Sequence, residues 1–118
     1  MIECRFITVE DDPPDQIVSL SCAREVDDQE NDIMILRTPP HEWFMPEEER
    51  GAMLSLGYAD EPRALLEWVH VDGDVIEFKA GPIHEKRDCR RVDPEELQEA
   101  LGLLRKMNRD NAFEITGP

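Results

Sequence analysis

Only one stretch of this 118-residue chain, near its C-terminus, repeats apolar residues with a helical period. Elsewhere they fall in short runs of strand character, separated by acidic or proline-containing connections. This pattern predicts an α+β fold in which a sheet supplies most of the core. The same runs argue against intrinsic disorder, although charged residues make up 35% of the chain.

The clearest local structure flanks Asp72-Gly73. A two-residue turn of type I′ needs φ > 0 at both central positions, and Asp-Gly suits it. Segments 63–71 and 75–79 are then two strands of a hairpin, with Val69 opposite Ile76 and His70 opposite Val75. Val69, Val71, Ile76 and Phe78 share the face taken as core, and Trp68, His70 and Glu77 share the other.

Earlier in the chain, Ile2 to Val9 reads as a strand, and Glu10-Asp11-Asp12-Pro13-Pro14-Asp15 is expected to break it. Ile17 to Ala23 resumes as a strand, with Val18, Leu20 and Cys22 on one face and Ile17, Ser19 and Ser21 on the other. The short apolar run Ile33-Met34-Ile35-Leu36 is expected to be a central strand covered on both faces. Met53 to Leu56 is a further strand, and Ala112 to Thr116 a short last one.

The helix begins after Asp93, with Pro94 at its first position, Glu96 placed to complete a capping box, and Val92 and Leu97 spaced as a hydrophobic staple. Leu97, Ala100, Leu101, Leu104 and Asn108 form its stripe, flanked by Leu103 and Met107. The expected architecture is a mainly antiparallel sheet of about six or seven strands with one C-terminal helix on one face, in a single domain over residues 1–118.

Charge bears on function. Residues 1–80 hold 20 Asp/Glu against 6 Lys/Arg, whereas residues 81–118 hold 8 against 7. The net charge of −15 argues against nucleic acid or anionic lipid as a direct ligand and favours a basic protein partner. No stretch approaches a membrane span, and Glu3 interrupts any apolar leader, so the expected location is cytoplasmic. Cys4, Cys22 and Cys89 are odd in number and lack C-x-x-C spacing, as expected of reduced thiols.

Catalytic and metal signatures are weak. Asp28, Glu30 and Asp32 share the odd-position spacing of a calcium loop, but Ile33 and Pro39 stand where Gly and Glu are needed. His41, His70 and His84 have no zinc-ligand spacing, and no cofactor is expected. Cys89 lies among Lys86, Arg87, Arg90 and Arg91, which favours a thiolate, and His84 is near in sequence. A small enzyme using that pair is the least favoured reading. The basic cluster pairs internally, or with a second copy of the chain in a homodimer.

Binding residues stand out more. Trp43-Phe44-Met45 sits in a proline-bounded connection, Thr38 to Gly51, beside Glu47 and Glu48. It is either a plug over the open end of the sheet or an aromatic anchor rimmed by acids. Trp68 and His70 form a second candidate, on a face that packs on the long connection or meets a partner. Two acidic connections form a third: Asp11, Asp12 and Asp15 in one, and Asp27, Asp28, Glu30 and Asp32 in the other.

In order and size, the chain resembles the small α+β immunity proteins of bacterial polymorphic toxin systems. The likeness rests on the Phe6 strand, the acidic turn, Ile33-Met34-Ile35-Leu36-Arg37, the proline-rich connection, the hairpin and the helix Glu95–Met107. The chain departs from that family in lacking the Gly-rich aromatic turn before the hairpin, where Gly57-Tyr58-Ala59-Asp60 stands instead. The resemblance implies a cytoplasmic, non-enzymatic inhibitor that blocks the active site or substrate groove of one cognate toxin, such as a nuclease domain. The alternative is a small acidic secretion chaperone or assembly subunit, which binds an extended segment along a sheet edge.

Overall fold

A computed structural model describes residues 2–12, 15–21, 32–47, 50–56 and 63–117. The fold is α+β, as expected, but the strands form two sheets rather than one. Strands β1 (Phe6–Asp12), β2 (Asp15–Ser21), β3 (Ile33–Arg37), β4 (Met53–Leu56) and β5 (Arg63–Leu65) make a five-stranded antiparallel sheet in chain order. Strands β6 (Trp68–Asp72), β7 (Val75–Ala80), β8 (Ile83–Asp88) and β9 (Glu114–Thr116) make a second sheet, ordered β8-β7-β6-β9. Among the described strands β9 alone pairs in parallel, on β6, and an isolated parallel bridge joins Glu3 to Asp88. The helix α1 (Pro94–Met107) connects β8 to β9.

The two sheets share chain at two corners. Asp88 N–H donates to the Ile2 carbonyl at 2.9 Å and Cys4 N–H to the Asp88 carbonyl at 2.8 Å, which places the start of the chain on the β8 edge. One residue later Arg5 N–H bonds the Ser21 carbonyl at 2.8 Å, in the other sheet. The second corner lies within 63–71, the segment expected to be one strand. Leu66 N–H bonds the Ala52 carbonyl on the β4 side at 2.8 Å, and Glu67 N–H bonds the Lys79 carbonyl on β7 at 2.8 Å. A chain that changes sheets at a bend lets both inner faces close on one core. That core contains Val18, Leu20, Ile35 and Leu54 from one sheet and Val69, Ile76 and Phe78 from the other.

The register corrects several local expectations. Asp12 pairs with Asp15, so the β1–β2 ladder runs through the acidic residues and only positions 13 and 14 separate the strands. Glu10, Asp11 and Asp12 are exposed strand residues, which costs little because carboxylates there stay in water. Strand β3 lies centrally between β2 and β4 but is covered on one face: Ile33, Ile35 and Arg37 are buried, while Met34 is 41% exposed. In the hairpin, Asp72 pairs with Val75, which moves the turn to Gly73-Asp74 and places Val69 opposite Phe78 and His70 opposite Glu77. The pairing shifts by two residues, so every side chain keeps the face expected for it. Gly73 has φ +61° and is the only one of its two turn residues with positive φ, the pattern of a II′ turn.

Helix α1 starts as its caps require. Asp93 Oδ1 accepts from Glu95 N–H at 2.9 Å, and Pro94 occupies the first turn. Glu96 does not close a capping box; its Oε1 accepts instead from Ile7 N–H on β1 at 3.0 Å. Since β1 is an edge strand, this contact engages a donor that the sheet leaves unpaired. The helix packs against β1 and β2 and buries Leu97, Ala100, Leu101, Leu103, Leu104 and Met107. No helix among the described residues is long and apolar enough to cross a membrane.

Candidate partner-binding surface

The alternation Ile33, Ile35, Arg37 points a guanidinium toward the core, and Arg37 is only 2% exposed. A buried charge requires partners. Arg37 Nε and Nη2 donate to the two oxygens of Glu42 at 2.7 and 3.0 Å. Nη1 and Nη2 donate to the two oxygens of Asp110 at 2.9 and 2.7 Å, and Nη1 also donates to the Met107 carbonyl. The hydrogen bonds to Asp110 and Glu42 raise the Arg37 pKa well above its ordinary value, so the cation is permanent. In return, Arg37 holds the Asp110 carboxyl down to about 2.

This cluster ties the end of β3 to the end of α1 and to the 3-10 turn Pro39–Phe44. Proline at the first positions favours that turn, and Glu42 anchors it from within. Arg50 secures the far side by donating from Nε to the Met45 carbonyl at 2.9 Å. The turn buries none of its own residues. Trp43 is 78% exposed and Phe44 60%, so the expected plug over the sheet is not formed by these two rings. Their centroids are 5.0 Å apart, edge to face, and His41 stacks at 5.5 Å from Phe44. The result is an aromatic cluster held in water by a buried ion-pair network. Glu47 is exposed on the same connection; Glu48 lies outside the described residues.

The other expected positions are distributed differently. Asp11 on β1 pairs with Lys106 on α1. Asp12 is exposed and Asp15 half-buried, side by side at the β1–β2 end. Asp32 is half-buried, whereas Asp27, Asp28 and Glu30 lie outside the described residues, as do Cys22 and the segment 57–60. Trp68 and His70 are half-buried on the outer face of the second sheet, not on the aromatic turn. His70 Nδ1 meets Thr116 Oγ1 at 2.7 Å, and the Trp68 ring lies 5.6 Å from that of His84, which itself pairs with Glu77.

The basic cluster before α1 is engaged within the molecule. Arg90 pairs with Asp88 at 2.7 Å, Arg91 with Glu3 at 3.7 Å and Arg87 with Glu85 at 3.4 Å. The hydrogen bonds from Arg90 lower the Asp88 pKa. Cys89 is buried in the core, while His84 is exposed and turned toward Trp68 and Glu77, so these residues do not assemble a thiol–imidazole pair. Among the described residues, no group of three or more His, Cys, Asp or Glu is placed to hold a metal ion.

Besides strand β8, which the sequence pattern did not anticipate, sequence reasoning missed two features of this surface. One is the Arg37 cluster, whose signal was a cation at an inward strand position. The other is a pocket of about 740 Å³ on the outer face of the first sheet, lined by Leu36, Met45, Met53, Leu65, Arg63 and Glu67. It has no local signature, because its wall joins β3, β4 and β5 to the connection that carries the aromatics. Comparison of the chain with protein-family models, curated proteins and solved structures gives no match.

Proposed function

We propose that this chain is a non-enzymatic acidic binding protein, an immunity protein that neutralises a basic toxin domain by covering its active site or substrate groove. The observation that carries this reading is Trp43, exposed at 78% on a turn tied down by Arg37 and Glu42. A large aromatic side chain gains free energy when a partner desolvates it, and a turn already ordered loses less entropy on binding. Phe44 beside it and Glu47 nearby supply a second apolar group and an acidic rim. The net charge of −15 steers a basic partner and speeds its arrival.

Affinity capture from the protein's own host, at low and high salt, tests the reading. One basic partner is expected, with association that slows as salt rises. Asp12→Lys with Asp15→Lys slows association, and Trp43→Ala speeds dissociation. Recovery of acidic partners only, or a captured toxin domain that stays active in the complex, overturns the proposal.

A further inference from the structure

Among the described residues, no sheet or α-helix packs over the outer face of the first sheet, and its register brings apolar residues into one row. Ile17, Leu36, Met53 and Leu65 lie side by side across β2 to β5, and the last three line the pocket of about 740 Å³. Met45 closes one wall from the connection after β3. A volume of that size exceeds what one protein side chain fills and lies within the range of small-molecule sites, roughly 300–1,000 Å³.

The charged residues that line the pocket are one cation, Arg63, and one anion, Glu67, so its lining does not share the acidic excess of the whole chain. Glu67 is committed: its Oε2 accepts from Gly81 N–H at 2.7 Å and from Lys79 Nζ at 3.4 Å. Arg63 stands on the same face as Leu65, two residues before it, is exposed, and makes no ion pair among the described residues. With Lys79 beside Glu67, the cation left without a counter-ion at the mouth, among the described residues, is Arg63. Beyond roughly 8 Å, physiological salt screens the acidic remainder of the chain, so the local sign decides which head group is held.

We infer that this pocket binds an amphiphilic monoanion, with its hydrocarbon body against Leu36, Met53 and Leu65 and its carboxylate or other anionic head on the Arg63 guanidinium. A guanidinium holds a carboxylate through two parallel hydrogen bonds, which gives the site a preference for an acid over an alcohol of the same chain length. The inference does not depend on the protein partner proposed above, and its test uses the chain alone.

The probe is decanoate, below its micelle-forming concentration, with decanol as the neutral control, followed by calorimetry and amide chemical-shift mapping. Decanoate is expected to bind and to shift the amides of Leu36, Met53 and Leu65. Arg63→Gln weakens decanoate by about tenfold and leaves decanol unchanged. Leu65→Trp fills the pocket and removes binding of both, with the amide spectrum away from β5 confirming that the variant folds. The inference is overturned if wild type does not bind decanoate, if decanol binds as tightly, if Arg63→Gln has no effect, or if the shifted amides cluster instead at Trp43 and Phe44.

Discussion

Arg37 and Asp110 stand 73 positions apart in sequence and meet through two parallel hydrogen bonds of 2.9 and 2.7 Å, one from each terminal guanidinium nitrogen. Glu42 takes the remaining edge of the same guanidinium. One side chain therefore joins the end of β3, the aromatic turn and the chain just past α1. The turn that displays Trp43 owes its position to a residue that is itself out of contact with solvent.

Removing the centre of this network leaves Glu42 without its cation and uncouples the turn. Arg37→Met is expected to lower unfolding free energy by about 3 kcal/mol, as for breaking a buried pair by deleting one partner. Urea denaturation measures it. A loss below about 1 kcal/mol means that the turn and the helix end are held without Arg37.

Asp110 gives the network a pH dependence. Its folded pKa is about 2, below the ordinary 3.8, chiefly because Arg37 hydrogen-bonds the carboxylate. The stabilisation is complete above the unfolded value and is lost as pH falls through the folded one. Because Asp110 is half-exposed, solvent screening limits the contribution to about 1 kcal/mol. Asp110→Asn is thus less stable than wild type at pH 7, with the gap closing between about pH 4 and pH 2. Parallel acid titrations with an unchanging gap would contradict this assignment.

Glu96 serves β1 rather than its own helix end. Glu96→Ala removes the acceptor for Ile7 N–H at the sheet edge and is expected to cost about 1 kcal/mol, with faster hydrogen exchange at the Ile7 amide. Glu96→Gln keeps an acceptor oxygen and restores most of both. If exchange quickens at the Asp93 amide instead, the capping box operates after all.

The turn at Gly73-Asp74 separates two residues that the Asp-Gly motif alone would treat together. Gly73→Ala places a side chain at φ +61° and costs about 1 kcal/mol, although nothing lies within 4 Å of the new Cβ. Asp72 is an exposed strand residue paired with Val75, so Asp72→Ala changes stability by less than about 0.5 kcal/mol. Thermal or urea melts of the two variants distinguish this register from one centred on Asp72-Gly73.

Trp43→Ala isolates display from folding. With the ring 78% exposed, truncation is expected to alter stability by less than about 0.5 kcal/mol while costing a bound partner about 2 kcal/mol or more. Surface plasmon resonance with the captured partner reads the second quantity as faster dissociation.

The sequence by itself determined most of the strands, though not β8, whose Ile83–Asp88 run is mostly charged, together with the capped helix and the inward faces of both hairpin strands. These follow from periods of two and 3.6 and from Asp93-Pro94, all of which act over a few neighbouring residues. Even the sheet change near Cys4 left a trace: Cys4 and Ile7 are both buried although an odd number of positions apart. What the tertiary structure alone decided is which partners a segment takes as it passes from one sheet to the other. At Leu66 and Val69 the same odd spacing of buried residues recurs. The hydrogen bonds that divide the segment go to Ala52, just before β4, and to Lys79 on β7, and only the assembled sheets show which partner each half takes. The pocket beside Arg63 and the display of Trp43 have the same origin. An exposed aromatic and a buried one are identical in sequence, and the long-range Arg37 clamp accounts for how this one is held in water.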